Sequence, residues 1–260
     1  MARICLTKRQ IIRTNFCVIK FYLLSNYSNK KTFVYEGKDL ESMSFAQNYH
    51  EWIYELIKNS VGSKIAEIGS GTGNFTKILL NNCHKIHAFE PCSKTHNNSI
   101  HLGHKKVISI NDNFENRKND FQDFFDSVLF INVLEHIEND EFALKSAKQI
   151  LSPEGKLVIF VPALSWLYSS FDTSIGHFRR YHKKSLVNLV SELGFKIERC
   201  HYFDALGILP WFIVMKMLGG SLNPKSVKWY DSIIVPWMKL VERFFIPPIG
   251  KNLLLVASKR

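Results

Sequence analysis

Glu67, Gly69, Gly71 and Gly73 occupy alternate positions, and another acid, Glu90, follows the next apolar run. Alternating glycines let a backbone turn sharply and let a ligand lie against it without meeting a Cβ. A carboxylate just ahead of such a loop repels phosphate and attracts a cation. One placed after the following strand can accept hydrogen bonds from two ribose hydroxyls. Dinucleotide loops carry their third glycine three residues after the second, and here that position is Asn74. The spacing therefore argues against a pyrophosphate and for a nucleoside that bears positive charge. Two histidines add acid–base capacity, His136 after the apolar run 125–130 and His177 after the run 157–161. Imidazole titrates where a general base has to work, though either ring could equally be structural. Arg179 and Arg180 offer planar forks for a phosphate or carboxylate, with a surface pair capping a neighbouring helix as the alternative.

These residues need a frame that brings them to one edge. Apolar runs at 64–68, 85–89, 106–110, 127–130, 156–161 and 196–202 predict strands, and the spacing at 44–59, 74–82, 93–101, 140–150 and 184–192 predicts helices. Such alternation makes a parallel sheet covered by helices, with ligands at the carboxyl ends of the strands.

S-adenosylmethionine, with an adenosine, an α-ammonium and a sulfonium, fits a loop preceded by an acid. Residues 65–75 resemble the E/D-x-G-x-G-x-G loop of class I S-adenosylmethionine-dependent methyltransferases. Asn132-Val133-Leu134-Glu135-His136 is similar to the segment after the fourth strand in the ubiquinone/menaquinone-type (methyltransferase type 11/12) superfamily. Pro153 and Gly155 make the turn expected there before the fifth strand. Gly176-His177-Phe178-Arg179-Arg180-Tyr181 resembles a segment of methyltransferases found near bacterial glycosyltransferases. The resemblance implies an α/β, Rossmann-like, seven-stranded, mostly parallel sheet with helices on both faces. Its last strand, 253–258, would be antiparallel, with a helical insertion before it. It further implies that Glu67 orients the α-ammonium, that Gly69, Ser70, Gly71 and Gly73 line the donor, and that Glu90 takes the ribose. Asp112 would meet the adenine amino group, with Asn113 its near alternative, and Asn132 the methionine part. Tyr49 would be a lid contact or a core aromatic. Asp172, His177, Arg179, Arg180 and Tyr181 would face the acceptor, with His177 or His136 as base. Cys92, His96, His101 and His104 lie close in sequence but match no zinc-site spacing, so no metal is expected.

Charge is concentrated at the ends. Residues 1–42 and 201–260 each hold eight basic and three acidic side chains, while 43–200 hold 18 and 17. This suggests an anionic partner, membrane or nucleic acid, against the alternative of lysines that serve solubility. Five cysteines without a C-x-x-C pair suit reduced thiols and a cytoplasmic setting, and the basic ends with the apolar insertion suggest a peripheral place at a membrane. The expected organisation is a basic extension (1–42) and a methyltransferase domain (43–260) containing an apolar insertion (203–251). The apolar stretch 205–218 is too short to span a bilayer. With Trp211, Trp229, Trp237 and flanking lysines, the insertion could be a substrate gate, an interfacial anchor, or a cap on the domain or a second subunit. The expected reaction is in-line methyl transfer to a small-molecule or lipid-like acceptor, lipid-, quinone- or glycan-linked. Alternatives are a soluble small-molecule or RNA methyltransferase and a non-catalytic S-adenosylmethionine-binding protein. Nucleic acid is disfavoured as partner; the chain has Asn132-Val133-Leu134-Glu135 where many base-amino methyltransferases have N-P-P-Y/F, which counts against base-amino methylation only. A nicotinamide oxidoreductase is disfavoured by Asn74 and Glu67. Monomer and homodimer both remain open.

Overall fold

The apolar runs pair into one sheet in the computed structural model, which describes residues 44–82, 85–220 and 223–260. The basic extension 1–42 lies outside the described residues. Along the chain come α1 (Gln47–Ile57), β1 (Lys64–Ile68), α2 (Asn74–Asn81), β2 (Lys85–Phe89), α3 (Ser93–Asn97), β3 (Val107–Ile110) and β4 (Phe125–Ile131). Then follow α4 (Asp140–Ile150), β5 (Leu151–Pro162), α5 (Ser170–Ser174), α6 (Lys183–Glu192) and β6 (Phe195–Phe203). Helices fill the stretch before β7 (Asn252–Lys259). The strand order is β3-β2-β1-β4-β5-β7-β6. Strands β1 to β5 run parallel to one another, and β7 runs antiparallel between β5 and β6. The seven-stranded α/β sheet with an antiparallel last strand is the fold that the sequence implied.

Alternation along the strands builds a core on each face. Ala66, Val128, Phe130, Ile159 and Leu255 go to one cluster. Their immediate neighbours Ile65, Leu129, Val158, Phe160 and Leu254 go to the other. Burial on both faces explains why these strands read as continuous apolar runs. On one face α4 packs Ala143, Leu144, Ala147 and Ile150, at helical spacing, and Asn139 caps it by accepting the Phe142 N–H at 2.9 Å. On the other, α1 buries Tyr49, Trp52, Ile53 and Ile57.

Some boundaries differ from expectation. The turn at Pro153–Gly155 is absorbed into β5 as an irregularity, with Glu154 at φ 62°. Helix α3 stops at Asn97, short of the predicted 101. In the stretch before β7, α7 (Ile208–Pro210) continues as a π-helical segment at Trp211–Met217. After it, α8 (Pro224–Trp229), a π segment (Tyr230–Ile234) and α9 (Val235–Phe244) run on end to end. Among the described residues no helix is long and apolar enough to cross a membrane.

Candidate active site

β1 delivers Glu67 and the glycine loop to the carboxyl edge of the sheet. Gly69, Gly71 and Gly73 have φ of 63°, 56° and 90°, a region that L side chains rarely adopt. Neighbours add a second reason for glycine. A Cβ on Gly69 would lie 2.7 Å from Val133 Cγ2, and one on Gly73 would lie 2.3 Å from His101 Nδ1. The loop is closed by the Ser70 N–H on Phe89 O (3.0 Å) and the Gly73 N–H on Ser70 O (3.0 Å). From the end of β2, Glu90 accepts the Gly71 and Cys92 N–H groups, each at 2.9 Å, so the second acid holds the loop in place. Glu67 is buried and accepts the Thr76 hydroxyl at 2.6 Å. Burial pushes its pKa up to about 8; Thr76 opposes the rise and Glu90 adds to it. Burial raises Glu90 as well, against the two N–H bonds.

This loop fits S-adenosylmethionine. Among the described residues neither buried acid makes an ion pair, which suits a cationic ligand. Ser70 Oγ is buried there without a hydrogen-bond partner. Asp112, half-buried after β3, accepts from the Asn113 N–H and Asn116 Nδ2, both at 2.8 Å, while Asn111 Nδ2 donates to Glu90 O at 2.7 Å. Asn132, at φ 53° just past β4, donates its N–H to Phe160 O at 2.8 Å.

Beyond Asn132 opens a cavity of about 290 Å3. Its polar corner is Glu135, His136, His177 and Arg180; Phe171, Trp211, Met215, Val227 and Tyr230 supply much of its apolar wall. The imidazoles of His136 and His177 stand edge to face, 4.5 Å between centroids. The Phe178 N–H on Glu135 O (2.8 Å) ties the two segments together. Asp172 orients His177: it is fully buried and accepts from His177 Nδ1 at 2.9 Å and Arg180 Nε at 2.9 Å. Burial alone would raise the Asp172 carboxyl, but His177 and Arg180 reverse that and hold it below the usual range. Burial and the facing His177 drive His136 down to about 3, so it is neutral at physiological pH.

The expected acceptor-facing residues divide. His136, His177, Arg180 and Tyr49 line the cavity, as does Asn132, expected at the methionine end of the donor. Arg179 and Tyr181 do not, which corrects the expectation for them. Arg179 Nη1 pairs with Asp140 at 2.7 Å, and the Tyr181 hydroxyl donates to the same carboxylate at 2.8 Å. Asp172 also stays behind the wall, because its oxygens are engaged by Ser169, His177 and Arg180. Arg180 is held by Asp172 and lies 4.6 Å over the Trp211 ring, so it is a fixed cation and no free clamp. Tyr49 serves both as core and as wall: it stacks edge-on against Phe203 at 5.4 Å. Cys92, His96, His101 and His104 do not converge; the histidines bond to Ser109, Ser99 and the Lys106 N–H respectively.

Sequence reasoning missed Glu135, Tyr230 and Lys251 as wall residues, and named Trp211 only as part of a possible gate. Lys251, just ahead of β7, pairs with Asp204 at 2.9 Å and lies 5.3, 5.6 and 5.9 Å from the Tyr49, Trp211 and Tyr230 rings. The adjacency of Glu135 to His136 was the one available signal for Glu135.

Known proteins share this fold. Residues 44–199 match the model of a methyltransferase domain family. An uncharacterized methyltransferase of Oceanobacillus iheyensis is 29% identical over 181 residues, covering 64% of this chain and 74% of its own. Among solved structures, an S-adenosylmethionine-dependent methyltransferase from Archaeoglobus fulgidus superposes with a TM-score of 0.58 at 14% identity, covering 85% of this chain and 98% of its own. A 1,6-didemethyltoxoflavin-N1-methyltransferase from Burkholderia thailandensis, with S-adenosylhomocysteine bound, gives 0.55 at 14% identity, covering 100% and 93%. The chain belongs to the methyltransferase domain family and is an S-adenosylmethionine-dependent methyltransferase.

Proposed function

We propose that the enzyme methylates an acceptor with an apolar body and a polar reacting end, taken up at an anionic membrane surface. The observation that carries this reading is the cavity itself: the polar cluster of Glu135, His136, His177 and Arg180 shares it with apolar side chains of the insertion, Trp211, Val214, Met215 and Val227. S-adenosylmethionine supplies an electrophilic methyl and a neutral leaving group, so the protein's tasks are alignment, exclusion of water and removal of one proton. Glu67 faces the α-ammonium, Glu90 adds ribose hydroxyls to the backbone N–H groups it already accepts, Asp112 reaches the adenine amino group and Asn132 the methionine end. Asp172 fixes the His177 ring by accepting from Nδ1, which leaves Nε2 to take a proton from the acceptor. Arg180 and Lys251, each already paired with an aspartate, give the cavity two fixed cations beside Trp211.

Charge in the insertion favours a membrane. Its acids turn inward: Asp231 accepts the Asn48 and Tyr49 N–H groups at 3.0 and 2.9 Å, and Glu242 accepts the Ala205 N–H at 2.9 Å. Lys216, Lys225, Lys228 and Arg243 are left exposed. Trp229, Ile233, Trp237, Leu240 and Phe244 recur at helical spacing along the same run and are all exposed, Phe244 by 82%. The test is transfer of labelled methyl from S-adenosylmethionine in lipid and aqueous extracts. Label entering the organic phase supports the reading, and label confined to water-soluble products overturns it.

A further inference from the structure

The polar corner has the composition of a metal site. Glu135, His136 and His177 each offer a ligand atom, and these atoms lie within 4.8 Å of one another. His177 Nε2 is 3.8 Å from Glu135 Oε1. Tetrahedral zinc, with bonds of about 2.0–2.2 Å, separates its ligands by about 3.4 Å, so a small rotation of the side chains closes the set. The surroundings resemble what supports such ligands elsewhere. The second nitrogen of His177 is held by a buried carboxylate, Asp172, an arrangement that fixes ring orientation and increases ligand basicity. The backbone of Gly176 and Ile175 holds the His136 ring. Two imidazoles and one carboxylate suit zinc and its neighbours more than magnesium or calcium.

We infer that Glu135, His136 and His177 bind one divalent transition-metal ion of the zinc class, with an open coordination position facing the cavity. This deepens the proposed function and rests on it for the acceptor only. An acceptor oxygen at the open position loses its proton more readily, because the cation stabilises the resulting anion. The proton leaves to solvent or to a neighbouring base. The oxygen's electron pair then forms the new C–O bond as the methyl–sulfur bond breaks, and sulfur keeps the bonding electrons. His177 then serves as a ligand, and the metal takes over the task assigned to its Nε2.

The test uses the full chain, stripped with chelator and titrated with zinc alone by calorimetry, and with cobalt(II) by visible absorption. The expected result is one ion per chain, with affinity falling by about tenfold or more in His136→Gln and in His177→Gln. S-adenosylmethionine binding, measured on the same samples, should stay within about twofold and reports that the glycine loop is folded. If a variant fails that check, the cobalt spectrum of the wild-type protein decides, since a tetrahedral imidazole-bound ion differs from the hydrated one. Wild-type protein that binds S-adenosylmethionine but no zinc overturns the metal site, as does zinc affinity unchanged in both variants. Full methyl transfer by metal-free enzyme overturns the metal's part in the transfer step. Zinc binding without any transfer to an organic-phase acceptor overturns the acceptor reading alone.

Discussion

Glu67 and Glu90 sit together under the glycine loop, and the raised pKa of Glu67 makes stability depend on pH. Its folded value, about 8, lies above the unfolded 4.5, so between these limits the folded state binds more protons. Stability is then greatest at low pH and declines as pH rises through that window. The ligand-free protein should lose Tm between pH 5 and 8, and Glu67→Gln should flatten the decline by roughly 4 °C or more in a thermal scan. The same variant should bind S-adenosylmethionine about tenfold more weakly by calorimetry, because the α-ammonium loses a charged partner. Removing the cation from the other buried acid has a different outcome. In Arg180→Gln, Asp172 keeps its hydrogen bonds from Ser169 and His177 but stays buried without its paired cation, and the loss should reach about 3 kcal/mol in denaturant unfolding. Glu67 and Glu90 were legible because they flank a loop of fixed spacing. The Asp172–Arg180 pair was not: both residues looked like acceptor contacts, and only burial reveals that they satisfy each other. Lys251 was illegible for another reason, since it meets Tyr49 across nearly the whole described chain.

At the level of elements, α1 and the insertion are tied together. Asp231 caps α1 by accepting two of its first N–H groups, and Lys239 pairs with Glu55 at 2.6 Å near the other end. An acid at a helix N-terminus offsets both the orphan donors and the helix dipole. Asp231→Ala should therefore lower Tm by roughly 3–6 °C. It should also raise KM for the acceptor more than KM for S-adenosylmethionine, because α1 contributes Tyr49 to the acceptor cavity. Helical periodicity made α1 and α9 readable in outline. The π-helical segments were not readable, since one extra residue per turn leaves no mark in a composition pattern. The first of these turns Met215 onto Phe171 and Ile175, which is how an apolar run that looked membrane-like becomes a cavity wall.

For the whole molecule, the outward charge of the insertion predicts binding to vesicles containing anionic lipid, weakening as salt rises. Trp237→Ser with Phe244→Ser should reduce that binding by about tenfold or more in a flotation assay, with S-adenosylmethionine affinity unchanged. The parallel sheet was the most legible feature, because doubly buried strands such as 127–130 and 156–161 announce themselves by continuous apolar sequence. The antiparallel direction of the last strand was legible only through resemblance, and its place between β5 and β6 was not legible, since nothing in residues 252–259 says which edges they join. That placement has a consequence for biogenesis. As the chain leaves the ribosome, β5 and β6 emerge well before β7, the strand that pairs with both. Until the insertion has been synthesised, two apolar sheet edges stand open in the middle of the future sheet, a state prone to mispairing. Over the interval in which residues 204–251 are made, the nascent chain should therefore be most prone to aggregation, because the strand that closes its sheet is made last.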